Sequence, residues 1–405
     1  MRTIFLLDID CFFASVEMAL RPELRGKPLC VGGHRGDRGI VACPNYEARA
    51  YGVKTAMPLR SAEKLLPPEA VFLPGNYRAY GEYSERVMTL LEEFTPDVEQ
   101  VSVDEAYMDV TGCLHFWGGD PLRMAAAMQE RIGRVCGLSV SIGIAANRVC
   151  AKIAAGLKKP GGLVTVPSGR EREFLAPLPV EVIPGVGVRT LPRMHAQGIF
   201  TVGDLLGRKT PPRSYVGPSF ALIAGDRDAT AVHRHGPEKS ISRDTTFGRD
   251  TADGDMIGST LYYLVERCCK TMRRQERSAA TVTVKVRFAD FTTVQKQSTL
   301  AIATANEEDI FATALRLLRT LRRPGAVIRL VGVKVSHLSG GKREGAQMVL
   351  GVVQGERLAA LHRRVDALQE KHGYATIQWG ITYALRKTAR ANDDGYELHN
   401  AVYGM

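Results

Sequence analysis

The chain opens on an apolar run, Ile4-Phe5-Leu6-Leu7, that leads into Asp8, and this pattern predicts a buried strand over residues 3–9. Helical spacing follows from Cys11 to Leu20. Residues 28–33 and 39–43 read as short strands around the polar loop His34-Arg35-Gly36-Asp37-Arg38. Helical patterns cover 45–51, 58–66 (broken by Pro67-Pro68) and 76–93, the last stopping before Pro96. Residues 97–112 alternate apolar and polar as a strand pair does. A helix at 121–136, a strand at 139–145 and a helix beginning near Asn147 complete a unit that suits a ferredoxin-like sheet with an insertion at 18–75.

The pattern then changes. Residues 166–230 offer short helices and turns, and 231–240 are polar without a period, as a linker would be. Strands return from 241 to 350. Thr281 to Phe288 alternates strictly and 330–335 nearly so, with helices at 256–276 and 307–322 between. Beyond 353 stands one helix, about 355–371, and a weakly patterned end. The expected fold class is a multidomain α+β protein: a ferredoxin-like sheet with an insertion, a small helical domain and a separate α+β domain.

Composition adds a partner class. Fifty-four Lys and Arg against 43 Asp and Glu leave a net charge of +11. Twenty basic and 12 acidic residues lie between 231 and 345, so most of the excess is in the second α+β domain. A basic face there would follow a phosphate backbone; a solvated charged face is the plain alternative. Eight cysteines include no C-x-x-C pair, which argues against zinc and against a disulfide framework. With no signal peptide and no 18-residue apolar run, the expected setting is a reducing cytoplasm, with no membrane contact.

Candidate chemistry lies in two apolar frames. Asp8 should stand at the exit of the first strand, and Asp104-Glu105 between two alternating runs. Neighbouring strands could bring these carboxylates together, and divalent cations would then keep all three ionised, as in two-metal phosphoryl transfer. Acids on the surface at strand ends remain the other reading. Tyr46 and Arg49, three apart on one helix face, could grip phosphate oxygens or simply face solvent. Lys152, Lys158 and Lys159 could neutralise a triphosphate, or be surface lysines. Phe12 and Phe13 could pack in the core, or one could lie against a sugar. Pro184-Gly185-Val186-Gly187 reads as a helix-hairpin-helix turn or an ordinary tight turn.

Taken together, Asp8-Ile9-Asp10-Cys11-Phe12-Phe13, Asn45-Tyr46-Glu47-Ala48-Arg49, Ser102-Val103-Asp104-Glu105-Ala106-Tyr107 and Lys159-Pro160-Gly161-Gly162 resemble the Y-family (translesion) DNA polymerases, in family order over residues 1–350. The nearest branch is the polymerase IV-like one. The resemblance implies a palm (1–17 and 76–165), fingers (18–75), a helix-hairpin-helix thumb (166–230), a linker (231–240), a little finger (241–350) and a tail (351–405). It implies two Mg²⁺ held by Asp8, Asp104, Glu105 and the Ile9 carbonyl. Phe13 becomes a steric gate against ribonucleotides, with Phe12 beside it. Tyr46, Arg49 and Lys159 become triphosphate ligands. The implied activity is low-fidelity extension of primers past damaged template bases, without proofreading, on primer-template DNA and dNTP. Gln347-Met348-Val349-Leu350-Gly351 resembles a sliding-clamp peptide, though a final strand would also fit, and a monomer is expected. Cys43-Pro44 depart from the Thr-Ala common in the family, which bears on one phosphate contact. A nucleotidyl cyclase and a catalytically silent DNA- or clamp-binding relative are the rival functions.

Overall fold

The computed structural model describes residues 2–208, 222–224, 228, 230–232, 236, 238–340, 352–387, 391–392 and 395–396. The clamp-like peptide at 347–351 lies outside these residues. The chain divides into two compact units, one of residues 1–35 and 41–236, the other of 36–40 and 237–405.

The first unit is built on a five-stranded sheet in the order β5-β6-β1-β7-β8. Its strands are β1 (Ile4–Ile9), β5 (Val98–Gln100), β6 (Glu105–Asp109), β7 (Val140–Ala145) and β8 (Leu163–Thr165). β1 runs antiparallel to both β6 and β7, and β8 lies parallel to β7. Alternation sends Phe5, Leu7 and Ile9 to one core, with Tyr80, Val87, Leu91, Met124, Met128 and Ile132 of helices α4 (Tyr77–Glu92) and α5 (Pro121–Cys136). Ile4 and Leu6 join a second core on the opposite face, with Ala151 and Ile153 of α6 (Arg148–Leu157). Burial on both faces explains why this strand is a continuous apolar run, each fully buried side chain contributing roughly 1.5–3 kcal/mol. α5 has clear end signals. Asp120 accepts from the Leu122 and Arg123 N–H groups, Pro121 occupies the first turn, and Gly137 closes the helix at φ 68°.

α6 approaches the sheet through Gly143 on β7. A Cβ at that position would stand 2.0 Å from the Ala151 carbonyl oxygen, so only glycine permits the contact. The insertion forms its own small sheet, β2 (Leu29–Val31), β3 (Cys43–Pro44) and β4 (Val71–Leu73), in the order β3-β2-β4. It packs on α2 (Tyr46–Ala50) and α3 (Leu59–Leu65) through Cys30, Ala48, Leu59, Ala62 and Phe72. The strand expected at 39–43 is only Cys43–Pro44, and β4 had no sequence signal beyond a three-residue apolar run. Beyond β8, short helices α7 (Glu171–Leu175), α8 (Leu191–His195) and α9 (Val202–Leu206) bury Leu175, Met194, Val202 and Leu205 in the α6-side core. The Pro184-Gly185 turn lies between α7 and α8, with Gly185 at φ +94°.

The second unit is a four-stranded antiparallel sheet in the order β11-β10-β12-β9. Its strands are β9 (Ser240–Thr251), β10 (Arg277–Phe288), β11 (Thr293–Thr304) and β12 (Ile328–Gly340), with helices Gly254–Arg274 and Glu307–Leu321 inserted. The tail was set apart in the sequence reading, but Tyr374, Leu385 and Tyr396 lie in this unit's core. Tyr263, Tyr374 and Tyr396 meet edge-to-face with centroids 5.2–5.6 Å apart. Arg273 ties Glu307 (2.6 Å) to Asp366 of the helix Val352–His372 (2.7 Å). The tail's weak pattern reflects isolated aromatic anchors in place of a periodic face. No helix among the described residues is long and apolar enough to cross a membrane.

Candidate active site

The register of two strands assembles the acids. Ile4, Leu6 and Asp8 share one face of β1, and Leu6 pairs with Tyr107 while Asp8 pairs with Glu105. Leu6 and Tyr107 are covered by the α6-side core. Two residues further along each strand, on the same face, stand carboxylates, and directly paired residues in a sheet have Cβ atoms about 4.5–5.5 Å apart. Asp104 immediately precedes β6, its carbonyl accepting the Ile9 N–H at 2.9 Å. Ser102 Oγ donates to Asp104 Oδ1 at 2.6 Å. Ile9 sits at the strand end with its side chain buried.

Two lysines answer these charges. Lys152 on α6 donates to both Glu105 oxygens, at 2.8 and 2.6 Å. Lys159 forms an ion pair with Asp8. Burial pushes the Asp8 carboxyl up from an ordinary 3.8 to about 6; Lys159 opposes the rise, and Asp104 and Glu105 add to it. Burial is therefore the larger effect, and the charge at Asp8 is only partly compensated. Three hard-oxygen donors around such a carboxylate suit a divalent cation of the Mg²⁺ class, which would restore its ionised form. The donor set and its charge fit; its oxygens are held by Lys152, Lys159 and Ser102 rather than gathered as a closed cage. Among the described residues the His/Cys/Asp/Glu group gathered within 4.8 Å is Glu307, Glu308 and His362, in the second unit. There His362 turns Nδ1 to Glu307 (2.8 Å) and Nε2 to Glu308 (3.3 Å), an arrangement that suits a protonated imidazole.

The other expected residues fall around the acids. Asn45 caps α2 by accepting from the Ala48 N–H at 2.9 Å, which starts the helix at Tyr46. Arg49 donates from Nε to the Pro44 carbonyl at 3.0 Å, and its guanidinium lies 5.3 Å over the Tyr46 ring. The Tyr46 hydroxyl reaches Asp10 Oδ1 at 3.3 Å, and burial, then the Asp10 charge, raises its pKa, so it stays a donor. Phe12 is 3% exposed and belongs to the core. Phe13 is half-buried, stacked on Tyr80 at 4.4 Å and edge-on to Tyr77 at 5.9 Å. Cys43 is buried beside these elements, its thiol pKa pushed up by burial.

The sequence reading missed Asp10. It is 1% exposed, yet its carboxylate accepts from Ser139 Oγ, Ser141 Oγ, the Gly161 N–H and Tyr46. The available signal was an acid two positions after Asp8, in a frame with no room for solvent.

Residues 7–156 match the impB/mucB/samB family, and residues 238–350 match the family's C-terminal domain. A protein of Dehalococcoides mccartyi named DNA polymerase IV is 39% identical over 395 residues, covering 95% of this chain and 98% of its own. One from Mesorhizobium japonicum, named DNA polymerase IV 2, is 35% identical and covers 98% of each. Alignment over 95% of the chain reaches into the tail, so the segment after 351 is not peculiar to this protein. Among solved structures, a Y-family DNA polymerase chimera of Dbh and Dpo4 aligns with a TM-score of 0.74 at 28% identity, over 84% of this chain and 100% of its own. An insertion ternary complex of Dbh DNA polymerase aligns over the same shares with a TM-score of 0.58, also at 28% identity.

Proposed function

This chain belongs to the impB/mucB/samB family of Y-family DNA polymerases, and we propose that it is a template-directed, lesion-bypass DNA polymerase that works without proofreading. The observation that carries this reading is the β1–β6 register. It sets Asp8 against Glu105 with Asp104 beside them, at the end of a buried sheet. In this reading the sheet and its helices α4–α6 are the palm, the insertion at 18–75 the fingers, the short helices after 166 the thumb, and 241–350 the little finger.

The reaction joins a primer 3′-hydroxyl to the α-phosphate of a dNTP and releases pyrophosphate. Asp8, Asp104, Glu105 and the Ile9 carbonyl would hold two Mg²⁺ ions, which when bound supply charge neutralisation at the attacking and leaving oxygens. The chain's own contribution is positioning. Arg49 offers an exposed guanidinium and Lys159 an ammonium to the triphosphate, and the Tyr46 hydroxyl, which rests on Asp10 at 3.3 Å, would turn its single O–H to a phosphate oxygen when one is bound. Phe13, backed by Tyr80, would reject a 2′-hydroxyl by contact with its ring. The basic second unit supplies phosphate contacts to primer-template DNA. Gln347–Gly351 docks on a sliding clamp, and the protein acts as a monomer in the cytoplasm, at the nucleoid. A cyclase or a silent scaffold is disfavoured by the three acids together with near full-length likeness to named polymerases.

Primer extension with Mg²⁺ tests the reading. Asp104→Ala should abolish extension while leaving the Kd for primer-template within about twofold, because base pairing and phosphate contacts do not involve it. Normal extension by that variant refutes the site. Deleting Gln347 to Leu350 should remove stimulation by the clamp without changing extension in its absence.

A further inference from the structure

Asp10 lies within two residues of the first acid, but its carboxylate takes no part in the Asp8–Asp104–Glu105 cluster. Its position comes from a kink: Cys11, between β1 and α1 (Phe12–Leu20), adopts a left-handed conformation at φ 38°. A non-glycine residue there costs on the order of 1 kcal/mol, so the surroundings must hold it. The bond from the Asp10 N–H to the Ser139 carbonyl (3.0 Å) and that from Ser15 Oγ to the Asp10 carbonyl (2.6 Å) do so. The carboxylate is thereby turned into the protein.

There it meets four donors from three separate segments. Oδ2 accepts from Ser139 Oγ at 2.7 Å and from the Gly161 N–H at 2.8 Å. Oδ1 accepts from Ser141 Oγ at 2.8 Å and from the Tyr46 hydroxyl at 3.3 Å. Gly161 is two residues past Lys159 and sits at φ +67°, a turn that fixes where the lysine leaves the backbone. Ser139 and Ser141 lie before and within β7, and Tyr46 opens α2. A buried carboxylate is costly unless fully hydrogen-bonded, and a fully satisfied one is worth more than its pairs taken singly.

We propose that Asp10 is a positioning residue for the nucleotide. One buried charge fixes the Gly161 turn that carries Lys159 and, through a long 3.3 Å contact, keeps the Tyr46 hydroxyl at the same edge, from where its single O–H can turn to a phosphate oxygen when the triphosphate binds. This rests on the reading of Tyr46 and Lys159 as triphosphate ligands. Asp10 itself touches no substrate.

The test is single-nucleotide insertion kinetics on Asp10→Asn. The amide keeps the shape but loses the charge, and it forces Tyr46 or Gly161 to face an N–H₂ group. KM for dNTP should rise roughly tenfold or more, the size expected when a charge-assisted hydrogen bond is lost, with the Kd for DNA unchanged. In a Tyr46→Phe background the same substitution should raise KM less, because one of the positioned groups is already gone. Unchanged KM in Asp10→Asn, or full additivity with both Tyr46→Phe and Lys159→Ala, overturns the proposal. If Tyr46→Phe and Lys159→Ala each leave KM untouched, it is the triphosphate reading that fails. Should Asp10→Asn not fold, judged by its melting, Ser141→Ala removes one donor and keeps the charge. A smaller KM rise then supports the proposal, and none overturns it.

Discussion

Replacing Asp8 with Asn removes a charge that the fold carries at a cost. Burial lifts the Asp8 pKa from 3.8 to about 6 despite the Lys159 ion pair. At about 1.36 kcal/mol per pKa unit, keeping the group ionised in the metal-free protein costs at most about 3 kcal/mol, and about 1–3 allowing for relaxation. The sign is that of an acid whose folded pKa lies above its unfolded one. Such a group costs nothing below about pH 4, and stability is lost as pH rises through about 6. Asp8→Asn should therefore melt higher than the parent at pH 7.5 in a chelator, by about 2–4 °C per kcal/mol for a unit of this size. The difference should shrink toward pH 4. Adding Mg²⁺ should raise the parent's Tm more than the variant's, and the variant should not extend primers. Melting curves from pH 4 to 8, with chelator and with Mg²⁺, measure all of this. A variant that melts at or below the parent at pH 7.5 in chelator, with the same pH slope, would show that burial does not strain this carboxylate.

Phe13→Ala should raise ribonucleotide insertion relative to deoxynucleotide by roughly tenfold or more, the range of one steric contact; an unchanged ratio moves the gate elsewhere. In the second unit, burial works against protonating His362, but Glu307 and then Glu308 outweigh it and raise its pKa, with Arg273 opposing. Arg273 is itself paired with Asp366, and Trp379 packs on the His362 ring at 5.0 Å. The contribution of this bridge is full below about pH 6.5 and is lost as pH rises through the folded value. Hydrogen exchange in the helix Val352–His372, corrected for intrinsic rate, should show protection falling over that rise. His362→Phe should abolish the trend, and protection independent of pH in the parent would refute it.

Much of the site was legible because strand alternation and short motifs are local. The apolar run ending at Asp8 and the helices at 45–51, 76–93 and 121–136 each follow from neighbouring residues, and each lies within a few positions of its expectation. β4 and β8 were not legible, since three-residue strands carry no measurable period. The tail was not legible either, because single aromatics spaced ten or more residues apart form no pattern until they meet.

That Asp8 stands near the end of the first strand and Asp104-Glu105 at the start of another was legible in the sequence, since an apolar run and its flanking acid are neighbours in the chain. The pairing of these acids was decided by tertiary structure, because register between β1 and β6 joins residues about a hundred positions apart. The same holds for the two lysines that answer the acids and for Asp10, whose four donors come from segments that only the folded sheet brings within hydrogen-bond reach. A side chain's chemistry is intrinsic, but its partners, and so its charge state and role, depend on burial and on distances that arise only when remote segments pack.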